Sequence, residues 1–169
     1  MNGLSPYLLL PLLLLLALVQ ATVLPELTLL GVKPELMLLT VLAWSLLRGP
    51  EEGLVWALLG GLVLDLFSGG PFGASALGLL AVSFISGRFT VLVGQGSFLL
   101  PMAAAAVGTL LYQALFLLAV QLTRGAAPWT ASLLRITLPS MAVNALLMPL
   151  VFQLLAWLDR KIGRPEIRW

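Results

Sequence analysis

Residues 48–73 read RGPEEGLVWALLGGLVLDLFSGGPFG. One arginine, three acids and seven glycines interrupt a chain that is otherwise apolar on both sides. Pro50 with Glu51 and Glu52 marks a helix start. Proline has no amide to leave unpaired in a first turn, and acids suit the positive end of the helix dipole. Ser68-Gly69-Gly70-Pro71-Phe72-Gly73 is a breaker, so the segment predicts a helix from Pro50 to about Phe67, with a tight Arg48-Gly49-Pro50 turn before it.

The flanking sequence extends this pattern. Further apolar helices are expected at about 5–24, 34–47, 74–93, 98–122 and 138–158, separated by proline- or glycine-containing breaks. Thr130 to Ile136 reads as an interfacial lead-in to the last one. The 169 residues are 60% hydrophobic and only 9% charged, against roughly 25% charged in a soluble domain. The fold class expected is therefore an all-α integral membrane protein, a single domain of six transmembrane helices over residues 1–169. Leu8 to Val19 followed by Val19-Gln20-Ala21 has features of a signal peptide. Met1 to Tyr7 lacks the basic residues of one, and a first membrane helix is expected instead.

Six crossings put both termini on one side. With the termini cytoplasmic, Arg48, Arg88, Arg160, Lys161, Arg164 and Arg168 lie inside, and Lys33, Arg124 and Arg135 outside. The positive-inside rule favours that orientation. Four of the nine cations sit in the last ten residues, a membrane-edge cluster rather than a nucleic-acid surface. Trp157 and Trp169 suit headgroup anchors on that side, and Trp129 on the other.

Four groups of residues stand out. Gly53, Ala57, Gly60 and Gly61 lie on a narrow side of the third helix, bordered by Ala74, Gly78 and Ala81 on the fourth. Small residues let backbones approach closely in membranes, either inside the bundle or in a groove for a partner's helix. Asp65 is expected to bond the loose backbone of Ser68-Gly69-Gly70, to pair with an internal cation, or to receive a ligand or partner from outside. Arg48, Glu51 and Glu52 flank the cytoplasmic turn as caps or as a polar contact for a partner. Asn144, mid-membrane on the last helix with Ser140, Gln153, Pro139 and Pro149, needs amide partners; Tyr112 and Gln113 are the ones expected.

Catalysis finds little footing. The chain has no histidine and no cysteine, which removes the commonest general base, thiolate chemistry and cysteine-ligated metals. Asp65 stands without a second carboxylate opposite it, Asp159 lying at the far end of the last helix. Neither glycine pair has the strand and lysine of a phosphate loop. No enzyme activity, cofactor or metal is expected.

The quoted segment, with GVKPELMLL at 31–39 before it and PSMAVNALLMPL at 139–150 after it, resembles the MreD family over nearly the whole chain. Arg48, Pro50, Asp65 and Gly69 fall on the motif. The resemblance implies a non-enzymatic subunit of the bacterial rod-shape (elongasome) machinery in the cytoplasmic membrane. Such a subunit binds the single-span protein MreC and works with RodA, its penicillin-binding transpeptidase and MreB in sidewall peptidoglycan synthesis. It also implies a fold similar to the substrate-binding subunits of energy-coupling-factor (ECF) transporters. A vitamin-binding subunit of such a transporter is the alternative reading; Ala17 and Ala21 form the small-xxx-small pair that would meet its coupling partner, but the outer loops lack a polar ligand cluster. A proton-coupled carrier using Asp65 is a third reading.

Overall fold

The structure is a computed structural model describing residues 6–23, 31–89, 99–125 and 129–162. The described residues form helices and turns with no strand. In chain order these are α1 (Pro6–Thr22), α2 (Leu36–Arg48), α3 (Pro50–Ser68), α4 (Ala74–Gly87), α5 (Leu99–Arg124) and α6 (Trp129–Ser132). A π-helical turn, Leu133–Thr137, joins α6 to α7 (Leu138–Ile162). The outer limits expected for the first helix, at 5 and 24, and positions 90–93 and 98 lie outside the described residues.

Leu99–Arg124 and Leu133–Lys161 are long and apolar enough to cross a membrane. The 19-residue α3 is long enough too, but it carries Glu51, Glu52 and Asp65. The shortest of the five long helices preceding the π turn is α2. Its 13 residues extend about 20 Å at 1.5 Å per residue, short of a hydrocarbon core of about 30 Å. Its position explains how a short helix is tolerated. Every residue from Met37 to Leu46 is buried, so α2 is the axis of the bundle and meets α1, α3, α4, α5 and α7. A helix apolar all round belongs in such a place. Trp44 of α2 stacks on Trp56 of α3 with ring centroids 4.5 Å apart.

Several boundaries differ from the sequence reading: α2 starts at Leu36 rather than 34, α5 runs on to Arg124 and α7 to Ile162. The fourth helix was expected to run to Val93; it ends at Gly87, and Arg88 and Phe89 close a turn on the carbonyls of Ile85 and Ser86. A Cβ at Gly87 would lie 2.6 Å from the Cα and N of Pro50, so the last residue of α4 packs directly against the start of α3. The lead-in at 130–136 is helical and continuous with α7 through the π turn. Pro139 has no amide to donate, and its ring crowds the preceding turn. The wider π ladder, just before it, accommodates that crowding.

Candidate functional site

α2 and α3 run antiparallel, so the start of α2 and the end of α3 share one pole of the bundle. Arg48, Pro50 and the end of α7 share the other. Each pole carries a polar cluster.

At the first pole, the Asp65 carboxylate accepts the backbone amides of Gly73 (2.9 Å), Ser75 (3.0 Å) and Ala76 (3.3 Å). These are the amides of the N-cap residue, Gly73, and of the first turn of α4, which Gly73 has no side chain to satisfy. Asp65 therefore caps the next helix. The expected contacts with the backbone at 68–70 are replaced by these, because the chain reverses through Gly69 (φ 61°) and Gly73 (φ 92°) and brings α4 back under the carboxylate. Both angles lie in the left-handed region that glycine enters without penalty. Gly69, the end cap of α3, also offers its carbonyl to Arg124 at 2.9 Å.

Beside this turn, Glu35 precedes the first turn of α2. One carboxylate oxygen accepts Gln113 Nε2 at 3.0 Å and the other Asn144 Nδ2 at 3.4 Å. Asn144 is fully buried; its Nδ2 also donates to Thr109 at 3.0 Å, and its Oδ1 accepts the Glu35 amide at 3.1 Å. Gln113 thus joins Asn144 through Glu35. Tyr112 does not partner Asn144; its side-chain bond is to Ser75. Gln20 of α1 accepts the Met37 amide at 2.7 Å, so three helices supply side chains to the start of α2.

At the second pole, Arg48 donates through Nε to Asp159 (2.5 Å) and through Nη1 to Glu52 (3.2 Å), and it lies over the Trp44 ring. The Arg48 and Asp159 side chains are 6% and 8% exposed. Trp44 Nε1 donates to Glu52 at 3.2 Å. Parallel helices α2 and α7 are therefore clasped twice, Glu35 to Asn144 at one end and Arg48 to Asp159 at the other.

The small-residue face is occupied by the chain itself. A Cβ at Gly53 would meet the hydroxyls of Ser45 and Ser83, which bond each other at 2.8 Å. At Gly60 it would lie 2.8 Å from Met37 Sδ, at Gly61 it would land on the backbone of Ala76, and at Gly78 it would lie 2.7 Å from the Tyr112 ring. Ala57 has no exposed surface. The groove expected for a partner's helix is the seam holding α3 to α1, α2 and α4. The Ala17–Ala21 pair is likewise split: Ala17 is in the core and Ala21 exposed.

The model for MreD, rod shape-determining protein MreD, matches residues 1–158. The chain belongs to the MreD family. No curated protein and no solved structure matches it.

Membership of the MreD family makes this a membrane protein of rod-shape determination. On this MreD-family chain the motif residues have distinct structural places. Arg48 clasps α7, Pro50 abuts Gly87, Asp65 caps α4 and Gly69 reverses the chain. Read from the sequence, Pro34-Glu35 is a helix start of the same kind as Pro50-Glu51, and Asp159 is only a remote acid. The signal for both was a carboxylate at the end of an apolar helix, with an asparagine or an arginine available elsewhere to receive it. Gln20, which resembled part of a cleavage site, is a cross-helix hydrogen-bonding residue.

Proposed function

We propose that this MreD-family chain is a non-enzymatic, multi-pass scaffold of the bacterial inner membrane that binds MreC. It acts there with RodA, its penicillin-binding transpeptidase and MreB to organise sidewall peptidoglycan synthesis. In this reading six helical segments cross the membrane as one domain, similar in arrangement to ECF substrate-binding subunits, with both termini cytoplasmic. The observation that carries it is the family match over residues 1–158. The exterior supports it: Leu66, Leu77, Leu99, Leu122, Leu146 and Leu150 are each at least 64% exposed, an apolar surface that lipid or another membrane helix covers.

With the interior glycines occupied, the MreC span docks on the outward faces of the helices. Arg48, Asp65 and Asn144 act by holding those faces in register. Co-expression with a tagged MreC-like single-span protein tests this reading. The chain is expected to co-purify in mild detergent at a fixed ratio, whereas an unrelated single-span protein leaves it behind. Failure to co-purify with any MreC-like partner would falsify the scaffold reading.

The ECF-type reading keeps one observation in its favour, a cavity at the Asp65 pole lined by Gln20, Glu35, Ser75 and Tyr112. A vitamin retained by the purified protein in native mass spectrometry favours that reading over the scaffold.

A further inference from the structure

We propose that the cavity around Glu35 binds a primary ammonium group. Two adjoining cavities of about 320 and 400 Å³ open at this pole and share Gln20, Glu35, Gln113 and Ile136. Both volumes lie in the range of small-molecule sites, roughly 300–1,000 Å³.

The chemistry of the lining selects a cation. Glu35 is half-buried and belongs to both cavities. Its side-chain donors, Gln113 and Asn144, are neutral amides, which orient the carboxylate without balancing its charge. Among the described residues the ion pairs join Arg48 to Glu52 and Asp159, and none reaches Glu35. Lys33 borders the second cavity without pairing with it. A charge in a low-dielectric site is stabilised by an opposite charge with hydrogen bonds, and an ammonium supplies both. The remaining lining suits its other contacts. Tyr112 and Phe116 stack with centroids 6.4 Å apart and present aromatic rings to the first cavity, surfaces that attract cations. Ser75, Ser132 and Thr137 add hydroxyl acceptors. Ile136 and Thr137 lie in the π turn, a geometry that recurs at functional sites. A bare metal ion would want more carboxylates, and the described residues hold no metal-binding cluster.

A free small amine and an ethanolamine lipid headgroup present the same group. The two sources are distinguished by two measurements on the full chain. Thermal unfolding, followed by tryptophan fluorescence with millimolar ethanolamine, reports the free amine. Native mass spectrometry after reconstitution in an equal mixture of phosphatidylethanolamine and phosphatidylcholine reports the lipid. A rise in unfolding temperature assigns the site to soluble amines. Several-fold retention of the ethanolamine lipid over the choline lipid assigns it to headgroups. Glu35→Gln is expected to weaken binding about tenfold or more, the scale of a lost charged hydrogen bond. Ile136→Trp fills the shared wall from a half-exposed position that makes no side-chain hydrogen bond, so it blocks the site even where Glu35→Gln folds poorly. The proposal is overturned if wild type responds to neither probe, or if Ile136→Trp binds as wild type does. Amine binding and MreC binding are separate readouts, so either can fail alone.

Discussion

Asp65 is a buried carboxylate in an apolar chain, 5% exposed, and its environment is that of a helix cap. Three amides at the start of α4 converge on it, and a hydrogen bond to a charged acceptor contributes about 1.5–3 kcal/mol. Asp65→Ala leaves those amides without their acceptor and is expected to destabilise the protein by about 2 kcal/mol or more, the upper value for loss of a single-bond cap. Thermal unfolding in detergent checks this; an unchanged midpoint would show that the cap contributes nothing. The same geometry weakens the carrier reading, since a carboxylate committed to three backbone amides is poorly placed to shuttle protons. Glu35 contrasts with it. Its donors are side chains from α5 and α7, and it faces open volume. Proline and acid at 34–35 were legible as a helix start. The partners were not, because they lie 78 and 109 residues away in sequence and apolar periodicity carries no information about which polar residues meet.

At the scale of elements, the helices follow the punctuation of the chain closely around the quoted segment. Pro50 opens α3 and Gly69 closes it, as proline at a first turn and a left-handed end cap require. The small residues were legible as close-approach surface, but their neighbours were not, since a glycine face serves its own bundle and a partner equally well. The clasp between α2 and α7 was hidden for the same reason: Arg48 and Asp159 are 111 residues apart. Breaking that buried pair from one side strands a charge. Arg48→Leu is expected to cost about 3 kcal/mol, while Arg48→Leu combined with Asp159→Leu recovers most of the loss, as replaced buried ion pairs do elsewhere. A double-mutant cycle of unfolding free energies tests this, and strict additivity of the two single losses would contradict the clasp. Gly61→Leu drives a side chain into the Ala76 backbone; overpacking of this kind costs typically 1–3 kcal/mol or more. Loss of monodisperse protein on size exclusion is the expected result, and normal behaviour would show that α3 and α4 are not held at this seam.

For the whole molecule, the central short helix explains why so few polar residues appear and where they stand. α2 is enclosed on its length by apolar contacts and tied at both ends by polar ones. What is left for partners is the outer surface. Leu146, Leu150 and Leu154 make an exposed stripe along α7, and Val55 and Leu77 stand outward on α3 and α4. The chain has no native cysteine, so single cysteines can be placed on either surface with no background. The most direct measurement is a disulfide-crosslinking scan against a cysteine in the membrane span of co-expressed MreC. Crosslinks are expected from a contiguous subset of outward positions such as Val55, Leu77, Leu146 and Leu150, and none from Gly53 or Gly61. Crosslinks from the glycine seam in a folded protein, or from no position at all, would contradict the account.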